Sequence, residues 1–221
     1  MDQPKSELDG WVEELLKIND ENEKMTEKQI KIISAAIEIF SEKGYAASST
    51  SEIAQKAGVA EGTIFRHYKT KKDLLISVVA PTMSKLIAPF VLKGFGDVMN
   101  THYASFEDFT RAMIMNRIDF VKKNLPVIKI LLQEIPFQPE LKEQFLKNVG
   151  SKVLERLMVI VERYQKEGVI VDLPPQTVIR LTGSAILGFL AVRYIMLPEH
   201  SWDDEQEIEH TIRFIMYGLS S

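Results

Sequence analysis

The chain has no cysteine in its 221 residues, which excludes disulfides, thiolate catalysis and cysteine-ligated zinc in one step. The absence fits a reducing compartment without selecting one. Its four histidines, His67, His102, His200 and His210, fall at no HExxH or similar metal-ligand spacing. No Walker loop, dinucleotide glycine pattern or GxSxG elbow occurs, and Gly94-Phe95-Gly96 is a lone glycine pair that reads as a loop. No enzyme, metal site or cofactor is therefore expected. The acidic N-terminus has no basic segment leading into an apolar core, so no signal peptide is read. The longest charge-free apolar run, Leu181 to Val192 between Arg180 and Arg193, is too short to span a bilayer and reads as a buried helix. A cytoplasmic protein without membrane contact is the expectation. What the chain does have is 45% apolar and 26% charged residues, enough to bury one large core or two modest ones.

The stretch from Ser48 to Leu75, SSTSEIAQKAGVAEGTIFRHYKTKKDLL, carries the strongest signal. Ser49 and Glu52 have capping-box spacing, so a helix starts there. Ile53, Ala54 and Ala57 supply its apolar face, and Gly58 can take the left-handed backbone of a sharp turn. From about Ala60 the chain is helical again through Tyr68, with Ile64 and Tyr68 on one face and Thr63, Arg66 and His67 elsewhere. Two short helices around a tight turn make a helix-turn-helix, which places its second helix in a DNA groove. Between Thr26 and Lys72 eight Lys and Arg stand against five Glu, in a chain of net charge −4 overall. A basic segment in an acidic chain suits local, salt-sensitive phosphate contact. The same lysines also fit an ordinary solvated helix surface.

Residues Thr26 to Leu75, with the helix IKIISAAIEIFSEKGYAASS ahead of EIAQKAGVAEGTIFRHYKTKKDLL, resemble the DNA-binding domain of the TetR family of bacterial transcription regulators. The resemblance implies an all-α homodimeric repressor. It would bind a palindromic double-stranded operator and be released by a small apolar or amphipathic molecule in a larger C-terminal helical bundle. Its implied organisation is an acidic extension over residues 1–25, a helix-turn-helix domain over 26–72 and a ligand-binding and dimerisation domain over 73–221. Carried over by position, the pattern puts Thr50 and Ser51 at the phosphate backbone. Ala60, Glu61, Gly62, Thr63, Phe65 and Arg66 fall on or beside base edges, and His67, Tyr68 and Lys71 at phosphates. Arg66 can pair bidentately with guanine or contact phosphate. Two departures matter. Ala60 stands where many members have serine, which forfeits a side-chain cap worth about 1 kcal/mol. Glu61 sets a negative charge beside phosphates, either to accept from a cytosine amino group or, as the sequence favours, to stabilise the helix through its dipole.

Elsewhere, Leu8, Trp11, Val12, Leu15 and Leu16 follow one helical face in the acidic extension. That face either covers the protein's own apolar surface or tunes operator affinity. A capping box at Thr26 and Gln29 opens a helix that buries Ile30, Ile33, Ile37 and Phe40 and stops at Gly44; Thr70 and Asp73 open another that Pro81 interrupts. After a looser stretch over 89–100, helices are expected over 106–124, 125–135, 140–167, 175–197 and 204–218. Gly183, Ser184 and Gly188 are candidate dimer-interface residues, since the resemblance implies a dimer contact through the last two helices and small side chains let helices approach closely; packing within the chain would use the same residues. Phe109, Met113, Asn116, Arg117, Phe120, Phe145 and Phe189 are candidate ligand-binding residues, since a pocket needs an apolar lining with a few polar groups. Helix-spaced aromatics also serve as plain core, and Arg117 calls for an anion from either protein or ligand. The alternatives to a repressor are an activator, or a helical carrier of hydrophobic molecules with a vestigial helix-turn-helix.

Overall fold

The computed structural model describes residues 26–81 and 96–219, and every regular element among them is helical. The N-terminal extension lies outside the described residues. The chain divides into two compact units, Met1–Pro89 with Lys123–Asn148, and Phe90–Lys122 with Val149–Ser221.

In the first unit α1 (Glu27–Ala47) starts at a complete capping box: the Gln29 amide donates to Thr26 Oγ1 at 3.3 Å and the Thr26 amide to Gln29 Oε1 at 2.9 Å. The helix buries Ile32, Ile33, Ala35, Ala36, Ile37, Ile39 and Phe40. Ile30 is only half-buried, and the buried face is wider than the expected single stripe because both α2 (Thr50–Ala57) and α4 (Lys71–Pro81) pack on it. The helical turn continues beyond Gly44, which breaks the geometry at φ 78° where the stop was read. A β-carbon on Gly44 would be strained by that φ and would stand 3.3 Å from Gln133 Oε1. α3 (Glu61–His67) follows α2, and α6 (Pro139–Phe145) packs on α4, where Lys72 Nζ meets Glu140 Oε1 at 2.6 Å. This packing groups residues 123–148 with residues 26–81 in the first unit. Pro81 is the last described residue of α4, and the kink expected there lies outside the described residues.

Helix α5 (Phe106–Glu134) has a kink at Asn124 (φ −126°, ψ 18°), just ahead of Pro126, where the two helices expected over 106–124 and 125–135 meet. Pro126 lacks the N–H that would bond the Lys122 carbonyl, so the ladder loosens there without ending. The single helix expected over 140–167 is instead α6, a π-helical turn Leu146–Gly150, and α7 (Ser151–Lys166). Both interruptions fall where the chain passes from one compact unit to the other. Residues 96–100 are helical rather than loose.

The second unit is built on α5 up to Lys122, α7, α8 (Pro175–Ala191, extended by a π-helical turn Val192–Met196) and α9 (Asp204–Leu219). Gly168 (φ 68°) ends α7, and Gln165 Nε2 holds the return by donating to Val171 O at 3.0 Å and Leu173 O at 2.7 Å. Phe106 and Phe109 of α5 pack on Tyr164 of α7, with ring centroids 5.0 and 6.2 Å apart. α8 is not the buried helix read from its charge-free run. It buries Val178, Ile186 and Leu190 and leaves Leu181 and Leu187 exposed, because it packs on α7 and α9 along one side only. By length and composition alone, Pro175–Met196 is also apolar enough to cross a membrane, longer than the charge-free run because it takes in Arg180 and Arg193. The same composition suits the core helix of a soluble bundle. Arg193 Nε donates to Asp204 Oδ1 at 2.6 Å and ties the end of α8 to the start of α9.

Candidate nucleic-acid interface

The expected two-helix unit is present with its caps in place. Ser49 Oγ accepts from the Glu52 amide at 3.2 Å and Glu52 Oε2 from the Ser49 amide at 3.0 Å. Gly58 takes the left-handed conformation at φ 66°, ψ 35°, and its N–H bonds back to Gln55 O at 3.2 Å, closing α2. The chain turns through Val59 and Ala60 into α3. Ala60 is its N-cap and makes no side-chain cap, as the residue type dictates. Ile64 is fully buried, Tyr68 nearly so, and burial raises the Tyr68 phenol pKa. α3 is thereby held from one side by two side chains four residues apart.

The opposite side faces solvent. Ala60, Glu61, Gly62, Phe65, Arg66 and His67 are exposed, Thr63 is half-buried, and Phe65 keeps 46% of its surface in solvent. Nothing lies within 4 Å of a β-carbon built on Gly62, so the backbone there is open to close approach. At the start of α2, Ser51 is exposed and the Thr50 hydroxyl donates to Glu61 Oε1 at 2.6 Å, linking the two helices directly. Besides Thr50, two more of the expected phosphate-facing residues are engaged within the protein. Tyr68 packs inward, and the Lys71 ammonium donates to Tyr45 O and Ser48 O at 2.7 Å each while standing 4.3 Å over the Tyr45 ring.

Ion pairing narrows the basic segment further. Lys43 pairs with Glu52 at 2.7 Å, Lys56 with Glu38, and Lys72 with Glu140. Lys28, Lys31, Arg66 and Lys69 make no ion pair among the described residues. Lys43 holds the Glu52 carboxylate below its ordinary 4.5, and Ser49 adds to the shift. The sequence reading missed the contact of Lys71 with the end of α1 and that of Lys72 with α6. Neither carries a local signal, since the partners stand 23, 26 and 68 positions away.

The candidate ligand-binding residues divide between the two units. Phe109, Met113 and Phe120 are buried on α5, Phe189 is half-buried on α8, and Phe145 belongs to the first unit. Arg117 donates through Nη2 to Asn116 Oδ1, and its guanidinium lies 5.0 Å over the Phe120 ring. Burial among these apolar neighbours pulls its pKa down to about 10. Of the candidate dimer residues, Gly183 is half-buried, whereas Ser184 and Gly188 are exposed and the space above both glycines is open.

Residues 32–78 match the family described as bacterial regulatory proteins, tetR family. Sixty residues, 27% of the chain, are 47% identical to the fatty acid metabolism regulator protein of Bacillus subtilis (strain 168). That match spans 31% of the relative, so the chain covers about a third of its length. Among solved structures, the fatty acid degradation regulator FadR from Bacillus halodurans superposes with a TM-score of 0.64 at 20% identity, over 89% of this chain and 98% of that one. FadR from Bacillus subtilis, solved in complex with stearoyl-CoA, gives 0.59 at 23% identity, over 86% and 98%.

Proposed function

Because this chain belongs to the TetR family of bacterial regulatory proteins, we propose that it is a cytoplasmic DNA-binding transcription regulator, acting as a homodimeric repressor on a palindromic operator. The observation that carries this reading is the face of α3. A seven-residue helix is held from behind by Ile64 and Tyr68 while Glu61, Gly62, Phe65, Arg66 and His67 stand in solvent. Such an arrangement suits entry into a major groove, where base-edge contacts from the start of the helix specify sequence and phosphate contacts set register.

Dimerisation is supported by apolar surface on one side of the second unit. Leu181, Ser184, Leu187 and Gly188 of α8 are exposed, and so are Phe214 and Tyr217 of the adjoining α9, each at 73%. A two-fold axis along such a stripe pairs the patch with itself. On a palindromic operator the two copies of α3 would lie one helical turn of DNA apart, about 34–36 Å or a multiple of it. The effector we propose is a small amphipathic molecule with a long apolar portion. Phe109, Met113, Phe120 and Phe189 would supply apolar contacts and Arg117 with Asn116 a polar end. A fatty acyl thioester, the class seen in the Bacillus subtilis structure, is one molecule of this chemistry. Binding would release DNA by favouring the bundle state with the wrong recognition-helix spacing.

Fluorescence anisotropy on operator and scrambled duplexes, across salt and with palmitoyl- or stearoyl-CoA added, tests the scheme. A regulator prefers its operator and loses affinity steeply as salt rises, whereas a hydrophobic carrier shows no sequence preference. Operator affinity that rises with the acyl thioester would overturn ligand-driven release.

A further inference from the structure

Among residues 60–68 Glu61 is the acidic side chain, and it stands exposed at the end of α3 that would meet base edges. If its role were confined to the helix dipole, the carboxylate would gain most over the free N–H groups of α3. Its described hydrogen bond goes elsewhere. Oε1 accepts from the Thr50 hydroxyl at 2.6 Å, across eleven positions of chain and onto the preceding helix. That contact removes much of the torsional freedom of an exposed glutamate before any ligand arrives, so less ordering remains to be done on binding. It leaves Oε2, for which no protein partner occurs among the described residues, to accept from outside.

An ionised carboxylate accepts hydrogen bonds and donates none. In the major groove the base donors are the amino groups of cytosine and adenine. Guanine offers two acceptors, thymine an acceptor and a methyl group, and adenine sets its N7 acceptor beside its amino group. Cytosine alone among the four bases offers a donor with no acceptor on its own major-groove edge. Everywhere else the same charge opposes base acceptors and phosphates, which is discrimination by repulsion as much as by attraction.

We propose that Glu61, positioned by Thr50, reads a cytosine amino group at one fixed position in each operator half-site and penalises the other bases there. This rests on the DNA-binding reading above. Thr50 is the positioning residue and Glu61 the one that touches the base.

The test is selection of duplexes from a random pool by the full chain, run in parallel for wild type, Glu61→Gln, Glu61→Ala, Thr50→Val and Thr50→Ser. Anisotropy on single-base variants of the selected site follows. Wild type should prefer cytosine at one half-site position on the order of tenfold. Glu61→Gln, nearly isosteric, should shift that position to adenine, whose N6 and N7 match an amide, and leave the other positions unchanged. Glu61→Ala should erase the preference there and tighten binding to non-cognate DNA. Thr50→Val should reduce the preference and Thr50→Ser should keep it. Identical motifs for wild type, Glu61→Gln and Glu61→Ala would overturn the proposal while leaving the DNA-binding reading intact. A wild type that selects no motif would overturn that reading and the proposal with it.

Discussion

Lys71 separates two accounts of the same side chain, one in which it touches DNA phosphate and one in which it holds the DNA-binding unit together. In the free protein its ammonium bridges Tyr45 O and Ser48 O, 2.7 Å each, across the loosened end of α1 beyond Gly44. Replacing it with methionine keeps the stem and removes the donors. Tyr45 O would still accept from the Ser48 hydroxyl at 2.8 Å and the Ser48 amide at 3.3 Å, whereas Ser48 O has no other described donor. The cost is therefore near that of one charge-assisted bond rather than two, about 1.5–2 kcal/mol, since hydrogen bonds to charged groups contribute roughly 1.5–3. The lost cation–π contact with Tyr45 adds about 0.5 kcal/mol. For a chain of this size that lowers Tm by roughly 4–10 °C, taking about 2–4 °C per kcal/mol. Calorimetry reads the stability, and anisotropy against salt reads the phosphate contacts, each of which contributes about 0.9 to the log–log slope. Lys71→Met should lower Tm by that amount with the salt slope of operator binding unchanged. An unchanged Tm with a shallower slope would refute the structural role and return Lys71 to the phosphate.

Three further outcomes follow from individual contacts. Ala60→Ser should give α3 the side-chain cap it lacks and raise stability by about 1 kcal/mol in chemical denaturation; no gain would mean the hydroxyl finds no N–H there. Leu187→Asp, on an exposed stripe of α8, should leave far-ultraviolet circular dichroism unchanged while sedimentation shows monomers and operator affinity collapses; a dimer that persists would place the interface elsewhere. Acid should weaken the first unit through Glu52, held below 4.5 by Lys43 and then Ser49, and Glu140, held below 4.5 by Lys72. A carboxylate whose folded pKa is depressed contributes its stability above the unfolded value and loses it as the pH falls through the folded one. Tm should therefore fall as the pH drops below about 4.5, and Glu140→Gln should flatten part of that fall.

The DNA-binding segment was legible because its information is local. Thr26 with Gln29, Ser49 with Glu52 and Thr70 with Asp73 are each three residues apart, and all three caps form where the spacing places them. Gly58 and Gly44 adopt the positive φ that marked them as a turn and a stop. The later helices were legible to within a few residues from apolar periodicity, but periodicity does not see a π-helical turn. The helix read over 140–167 contains one at Leu146–Gly150, an irregularity that no residue type in the stretch announces.

By itself the amino-acid order determined the helices, their caps and the exposed face of α3, since each depends on residues within about one or two helical turns of one another. Tertiary structure alone decided what distant side chains do. It turned Lys71 back onto the carbonyls that end α1, set Thr50 against Glu61, joined α6 to α4, and left one side of α8 in solvent where composition read burial. The physical reason is that a hydrogen bond or an apolar contact depends on distance in space, and partners 11, 26 or 68 positions apart acquire that distance only when the helices pack.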